Sequence, residues 1–207
     1  MSLAAGARVS PRWLRERETD SISWERRQDF RLENLLGALV LAVSERVHER
    51  MQAAAGCSST AIAALQWVGR GPDLRTCDVA EALAMSTTGA SQIVASLIAE
   101  GLVQRTRHQH DQRQWRLKLT ELGARRTLDA MRDRADLIRE LVAMLPFPWR
   151  LRLIRILEKL LARIADTPRA VLEVCRHCDW NACRHSIIEP CPVALAHAER
   201  RRSNRPA

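Results

Sequence analysis

The stretch LRTCDVAEALAMSTTGASQIVASLIAEGLVQR, Leu74–Arg105, decides the fold of this chain. Thr76 and Ser86 are candidate N-caps for two short helices, because a hydroxyl at that position satisfies the first backbone N–H groups of a helix. Gly101 then ends the second helix at a position that favours a left-handed residue. Two capped helices joined by a tight turn predict a helix-turn-helix. The residues expected to face inward are Val79, Ala80, Leu83, Ala90, Ile93, Val94 and Leu97.

After Gly101 the apolar residues change from helical spacing to alternation. The segments LVQRT, Leu102–Thr106, and WRLKLT, Trp115–Thr120, are short and extended in character, and every other residue from Trp115 to Leu119 is apolar. A polar loop, Arg107–Gln114, connects them. A two-stranded hairpin beside a helix-turn-helix predicts a winged helix.

On the N-terminal side of this stretch, the sequence predicts a long helix and a shorter one. Apolar residues recur at helical spacing from Arg31 to Met51, so they form one stripe that must be buried against a partner. Ser58 or Ser59 can cap the shorter helix, which stops at the turn-forming residues 69–72.

On the C-terminal side, Thr120 can cap a long helix to about Met144, and the prolines in the Pro146–Pro148 break end it. A further helix follows, with a near-heptad seam of the kind that packs on another helix. Thr167 and Pro168 then open a short segment that leads into Cys175. The seam residues are Leu151, Ile154, Leu157, Leu161 and Ile164.

The predicted fold class is mainly α: a winged helix-turn-helix with long N- and C-terminal helices and a small Cys-rich C-terminal extension. We expect an N-terminal arm at residues 1–28, a winged-helix domain at 29–166 and a Cys-rich tail at 167–207.

The composition favours a nucleic-acid partner. The chain has 207 residues, with Lys+Arg 33 against Asp+Glu 24, a formal net charge of +9. Lys118 and Lys159 are its only lysines, and arginine carries a planar donor set that suits phosphate. A solvated basic surface without a partner is the alternative interpretation.

Other function classes fit the sequence less well. No nucleophile is paired with a base and no phosphate-binding loop is present, so we do not expect an enzyme. The longest apolar run, LLGALVLAV from Leu35 to Val43, is shorter than the ~18 residues of a membrane span. No export leader is evident. We therefore expect a cytoplasmic protein with reduced thiols and no membrane partner.

Two segments resemble the MarR family of bacterial transcription regulators. They are CDVAEALAMSTTGASQIVASLIAEGLVQR, Cys77–Arg105, and HDQRQWRLKLTELG, His110–Gly123. The second is similar to the family pattern of Asp-x-Arg in the wing followed by a strand that ends Leu-Thr-x-x-Gly. The resemblance covers about Leu32–Asp166. It implies a homodimer whose first and last helices interlock as dimerisation helices, so that residues 29–166 form a winged-helix and dimerisation domain with a DNA-binding lobe at about residues 58–120. It also implies a pseudo-palindromic operator in double-stranded DNA and a small aromatic or phenolic effector.

The resemblance also implies which residues contact DNA. Gln92 lies where the family often has an arginine, and its amide can pair with an adenine edge. Arg113 occupies the family's wing arginine position and is expected to enter the minor groove, with Asp111 holding its side chain in place. The alternative for these residues is ordinary capping and solvation. The full predicted set is Ser86, Thr87, Thr88, Ser91 and Gln92 on the helix, with Arg105, Arg107, Asp111, Arg113 and Arg116 in the wing.

The tail gathers four of the six cysteines: Cys175, Cys178, Cys183 and Cys191. Four thiolates in a reducing compartment predict a metal site. The unequal spacing and the Cys-Pro ending favour an iron-sulfur cluster, zinc is the alternative, and a metal-free redox thiol group is the third interpretation. Cys57 and Cys77 stand alone in helical patterns and are expected to be small buried residues.

Three functional hypotheses follow. The first is a homodimeric DNA-binding regulator whose operator affinity is controlled by a redox-sensing iron-sulfur centre. The second is a regulator that responds to small aromatic ligands and carries a structural zinc site bound by four cysteines. The third is a protein-interaction module without DNA binding. It predicts no salt-dependent binding to the protein's own upstream DNA.

Overall fold

The computed structural model describes residues 24–71, 74–108, 111, 113–176, 178–179 and 191–203. By its internal contacts the chain divides into two units, Met1–Glu45 and Arg46–Ala207, with the boundary inside the first helix. The winged helix and everything after it belong to the second unit.

The described residues form helices and one small sheet, as predicted for a mainly α winged helix. The antiparallel hairpin follows the second helix of the helix-turn-helix. The elements in chain order are α1 Trp24–Ala55, α2 Ser59–Val68, α3 Thr76–Ala82, α4 Thr87–Ala99, β1 Val103–Arg107, β2 Trp115–Leu119, α5 Glu121–Ala143, α6 Phe147–Ile164, α7 Pro168–Cys175 and α8 Pro192–Ser203.

Most predicted helix starts are confirmed by side-chain caps. The hydroxyl of Ser86 accepts from Gly89 N at 3.1 Å, and that of Thr120 accepts from Gly123 N at 3.0 Å. Ser58 and Thr167 cap α2 and α7 in the same way. Each cap satisfies a backbone donor that the helix itself leaves unpaired.

The prediction of Thr76 as the N-cap of α3 is wrong by one residue. Arg75 is the N-cap, and Thr76 is the first helical residue. The carboxylate of Asp78 accepts from Arg75 N at 2.7 Å and from the Arg75 guanidinium at 3.0 Å. This acidic side chain at the third helical position therefore satisfies the backbone N–H of the cap residue, which is the half of a capping box that runs back from inside the helix.

The first helix begins earlier than predicted. α1 starts at Trp24, so residues 24–28, which were expected to belong to the arm, are helical. These residues are Trp, Glu, Arg, Arg and Gln, and Glu, Arg and Gln are good helix formers.

The helix-turn-helix and the hairpin share one apolar core. α3 and α4 are bent by 114° to each other, within the range typical of this motif. The turn contains Ala84 with a positive φ of 53°. Every predicted inward residue is buried except Ile93, which is half-buried and packs on the core. The core consists of Ala64, Leu65, Val68, Val79, Leu83, Val94, Leu97, Leu102, Val103 and Leu117.

The hairpin runs antiparallel, with Val103 opposite Leu119 and Arg107 opposite Trp115. Leu74 adds a single bridge on the other side of β2, where Leu117 N donates to Leu74 O at 2.8 Å. This extra bridge was not predicted, because one paired residue carries no alternating pattern. It ties the start of the helix-turn-helix to the base of the wing.

Large apolar side chains remain exposed in each unit. Within Met1–Glu45, the predicted stripe of α1 is uncovered at Leu32, Leu35, Leu36, Leu39 and Val40. Within Arg46–Ala207, the α6 seam is exposed at Leu151, Ile154, Leu157 and Ile164, and Leu161 is half-buried.

Within the described part of the chain, no single helix has the length and apolar character to cross a membrane. The bent pair of α3 and α4 meets those two criteria when its helices are taken together.

Candidate nucleic-acid interface

The N-terminal half of α4 presents a polar surface. Its buried face is formed by Ala90, Val94 and Leu97, which fixes the orientation of the helix against the core. The opposite face carries short polar groups that are hydrogen-bond donors and acceptors, as base edges and phosphates require. All five predicted contact residues are exposed there: Ser86, Thr87, Thr88, Ser91 and Gln92.

Two of these residues have distinct local roles. The Ser86 hydroxyl is occupied as the helix cap, so capping explains this residue without any ligand. Gln92, one turn further along, has the longest polar side chain of the set and is exposed. Its position allows the amide to reach beyond the helix surface.

The hairpin places its arginines on both faces of the sheet. Side chains alternate along a strand, so Arg105 and Arg107 lie on the face that also carries Trp115 and Leu117. Arg116 lies on the other face. Arg105 and Arg107 are exposed, whereas Arg116 is half-buried.

Trp115 and Arg107 form a stacked pair at the outer end of the hairpin. The guanidinium carbon of Arg107 is 3.7 Å from the centroid of the Trp115 ring, which is the geometry of a cation–π contact. Trp115 is 47% exposed, so the expected inward alternation of β2 holds only from Leu117 onward. Because β2 extends beyond the core at this end, the Trp115 ring is covered by the Arg107 side chain rather than by core residues.

Asp111 organises the wing tip. Its carboxylate accepts from Arg113 N at 3.0 Å and from Gln114 Nε2 at 2.7 Å, and these contacts hold the pKa of Asp111 below its ordinary value. Among the described residues, the carboxylate makes no ion pair with the Arg113 guanidinium, contrary to the predicted pairing. Asp111 therefore fixes the backbone of the turn, and the Arg113 side chain extends from it exposed.

Arg116 is partly committed to the protein. It donates to Gln114 Oε1 at 2.6 Å and to Trp115 O at 3.3 Å, and its Nε is buried without a hydrogen-bond partner. Of the four predicted arginines, Arg116 is therefore the least available to a ligand.

The cysteines expected to hold a metal are only partly described. Cys175 ends α7, Cys178 follows in the next turn and Cys191 precedes α8; all three are half-buried. Cys183 lies outside the described residues. Across residues 24–71, 74–108, 111, 113–176, 178–179 and 191–203, no three Cys, His, Asp or Glu side chains come together as a metal site would require.

The two isolated cysteines differ from each other. Cys57 is half-buried, and burial raises the pKa of its thiol, with a further increase from Glu100. Cys77 is exposed, and its thiol lies 3.6 Å from Asp78 Oδ1. The prediction that Cys77 is buried is wrong, because α3 turns the adjacent Val79 and Ala80 into the core and leaves residue 77 outside.

Comparison with known proteins gives a family match over part of the chain. The sequence model of the MarR family matches residues 55–114, which include the helix-turn-helix and β1. No curated protein matches the chain by sequence.

Several solved structures share the fold. YusO from Bacillus subtilis is 19% identical with a TM-score of 0.59, and covers 67% of this chain and 97% of its own. A MarR family protein from Bacillus stearothermophilus is 22% identical with a TM-score of 0.58, and covers 67% of this chain and 96% of its own. A mutant of MepR from S. aureus, bound to an oligodeoxyribonucleotide, is 16% identical with a TM-score of 0.51, and covers 64% and 96%.

These matches leave about a third of the chain outside the shared fold. At identities of 16–22%, these matches establish that the architecture is shared. Residues 55–114 match the MarR family, and the chain has the winged-helix fold of MarR-family proteins.

Proposed function

We propose that the protein is a homodimeric DNA-binding transcription regulator. The observation that carries this proposal is the exposed polar face of α4 beside an arginine-bearing wing whose tip is held by Asp111. The MepR mutant of the same fold is bound to an oligodeoxyribonucleotide. A net charge of +9 favours association with the phosphate backbone.

In this proposal α4 enters the major groove. Thr88, Ser91 and Gln92 share one face of the helix, because residues three and four apart are neighbours. The Gln92 amide can donate from Nε2 to N7 of an adenine and accept at Oε1 from its N6 amino group, which is the pairing that reads this base. At the start of α4, Ser86 and Thr87 supply phosphate contacts by donating from their O–H groups, while the Ser86 oxygen accepts from Gly89 N as the helix cap.

The wing contacts the adjacent minor groove or backbone. Arg113 projects from a turn whose backbone is held by Asp111, so less conformational entropy is lost when the arginine binds. Arg107 is held over the Trp115 ring and supplies a second cation near the tip. Arg105, on the same face of the hairpin as Arg107, adds attraction to the phosphate backbone of the DNA.

A second copy of the chain is the proposed partner for the exposed apolar seam of α6. Leu151, Ile154 and Leu157 recur along this helix and are about half exposed in the single chain. Contiguous exposed apolar surface of this kind typically marks an interface. The exposed stripe of α1 has the same character within its own unit. A homodimer would read two half-sites about one DNA turn apart.

A further proposal concerns the Cys-rich tail. Cys175, Cys178, Cys183 and Cys191 are proposed to bind an iron-sulfur cluster that controls operator affinity; a structural zinc ion is the alternative. The support is the spacing of these residues and the partial burial of the three that are described. Such a centre would supply a charge that changes with its redox state.

Operator binding can be tested with the purified full-length protein and its own upstream DNA. We expect a footprint with two-fold symmetry and a mass, by light scattering, of two chains per site. A monomer that protects no DNA would contradict the proposal and favour the protein-interaction module.

The metal proposal needs a separate measurement. Protein isolated without oxygen is expected to absorb in the visible range and to contain iron and sulfide. A colourless protein with stoichiometric zinc would establish the alternative, in which a small aromatic effector is the signal. Substituting Cys178→Ser should then release the zinc without altering any redox response.

A further inference from the structure

The Cys175–Cys178 turn is attached to the helix-turn-helix of the same chain. Arg176, which lies between the two cysteines, donates from Nη1 to Leu83 O at 3.1 Å. Leu83 is the C-cap of α3, the residue at which the first helix ends and the turn to α4 begins. The tail therefore hydrogen-bonds to the backbone that sets the direction of α4.

A second arginine, from a much earlier part of the chain, contacts the same turn. Arg70, just after α2, donates to Cys175 O, the carbonyl that also accepts from Cys178 N at 3.0 Å. The Arg70 guanidinium lies 4.3 Å from the centroid of the Trp67 ring, and Trp67 packs against the core of the winged lobe. The Cys175 carbonyl is thus linked through Arg70 to that core.

α7 reinforces these two hydrogen bonds by packing beside α3. Arg169 and Leu172 of α7 line a shallow groove with Glu81, Ala84 and Met85 of the helix-turn-helix. Ala84 has a positive φ of 53°, which costs free energy for a residue with a Cβ. The surrounding contacts must hold this turn in place, and those of α7 and Arg176 are among them.

The other end of the tail is fixed to α6. Arg200 of α8 donates to Ala162 O at 2.7 Å and also to Ala165 O, so it caps the C-terminal carbonyls of α6. Val193 of α8 is 3% exposed. One end of the Cys-rich segment therefore contacts the helix-turn-helix, and the other contacts the helix proposed to form the dimer.

We propose that residues 168–176, which we call the brace, couple the state of the Cys-rich tail to the position of α4. A ligand or redox change that reorganises the Cys175–Cys178 turn alters the Arg176 contact with Leu83 and the Arg70 contact with Cys175. Because α3 and α4 are joined directly at Leu83–Ser86, the change reaches the recognition helix without passing through the dimer. The regulatory consequence rests on the proposed function, whereas the mechanical coupling does not.

The direction in which the brace changes DNA affinity follows from this geometry. With the brace attached, the turn between α3 and α4 is restrained in the conformation that presents α4. Loss of the brace increases the number of conformations available to the turn, and binding must then restore the order, which weakens affinity. The attached brace is thus the state with higher DNA affinity.

The test compares Arg176→Ala with Arg125→Ala in the full-length protein. Arg125 is an exposed arginine that pairs with Glu121 of its own helix, α5, and belongs to neither the brace nor the turn. Hydrogen exchange of the backbone amides at residues 83–86 should become at least about tenfold faster in Arg176→Ala, equivalent to about 1.4 kcal/mol of local stability. In Arg125→Ala it should stay at the wild-type rate.

Operator affinity supplies the second readout. Arg176→Ala should weaken binding several-fold and Arg125→Ala should leave it nearly unchanged, although each removes one positive charge. Arg176→Lys keeps the charge and most of the side chain, and we expect an intermediate exchange rate. This variant also serves if the alanine protein does not fold.

The outcomes separate the two proposals. Unchanged exchange at residues 83–86 in both Arg176 variants would overturn the coupling, whatever the DNA result. Faster exchange in a protein whose wild type binds no DNA would support the coupling and reject the proposed function.

Discussion

Gly123 lies so close to the backbone of Leu102 that a Cβ at position 123 would be 1.9 Å from Leu102 O. The same carbonyl accepts from Thr120 N at 3.0 Å. The first turn of α5 therefore packs directly on the residue that precedes β1. This contact gives a physical reason for the Leu-Thr-x-x-Gly sequence: the threonine caps the helix, and the glycine permits its close approach to the wing.

Gly123→Ala should be strongly destabilising, because the methyl group meets backbone rather than a flexible side chain. We expect a loss of about 3 kcal/mol or more in the free energy of unfolding, at the upper end for single substitutions, measured by urea denaturation. Gly71→Ala is the matched control, since a Cβ there meets nothing within 4 Å. A loss below about 1 kcal/mol at Gly123 would contradict the close approach.

Gln92→Ala and Arg113→Ala should affect DNA binding differently. Gln92→Ala should cost about 1–3 kcal/mol on the preferred operator and relax the preference at one base pair. Arg113→Ala should weaken binding on all sequences alike and reduce the salt slope by about 1. Fluorescence anisotropy with operator and scrambled duplexes measures both.

Arg125→Ala provides the charge-matched control for Arg113→Ala. Arg125 pairs with Glu121 within α5 and is not part of the proposed interface. If it lowered affinity as much as Arg113→Ala, net charge alone would explain the effect and the wing would have no special role.

Trp115→Leu tests whether the stacked ring positions Arg107. The substitution retains an apolar side chain but removes the cation–π contact, which contributes about 0.5–1 kcal/mol at an exposed site. We expect Trp115→Leu and Arg107→Ala each to weaken binding, and the double variant to be little worse than Arg107→Ala alone. Additive losses in this double-mutant cycle would show that Trp115 acts independently of Arg107.

The Asp78 cap should make the stability of α3 depend on pH. Burial raises the pKa of Asp78, but hydrogen bonds from Arg75 outweigh it and hold the pKa below its ordinary value. A carboxyl with a lowered folded-state pKa stabilises the fold above its unfolded pKa of about 3.9, and the contribution is lost as the pH falls through the folded-state value. Asp78→Asn should therefore be less stable than the wild type at pH 7.

That difference should shrink as the pH drops below about 4, where the unfolded state of the wild type takes up a proton that the native state resists. Urea titrations of both proteins from neutral to acid pH measure it. A stability difference that is constant across this range would mean that the Asp78 charge plays no part in the cap.

The elements that sequence reasoning located correctly depend on local chemistry. Ser86 and Thr120 could be recognised as caps because the hydroxyl acts within three residues of its own position. The cap at Arg75 was assigned to its neighbour because the decisive group is the carboxylate of Asp78, which acts backward from inside the helix.

Features that depend on distant parts of the chain could not be predicted. The Arg176 contact with Leu83 joins residues 93 positions apart, and nothing in either local sequence indicates the other. Trp115 matched the alternation of a half-buried strand, but alternation does not reveal where the core ends. The same limit applies to Cys77, whose exposure depends on the direction in which α3 packs.

The salt dependence of binding to the upstream DNA tests the central claim most directly. If α4 and the wings of two chains bind one operator, the logarithm of the affinity should fall linearly with the logarithm of salt concentration, with a slope of about −4 or steeper. The slope should become less steep when Arg113 is replaced. A protein that binds this DNA no better than an unrelated duplex, with an affinity independent of salt, would contradict the account.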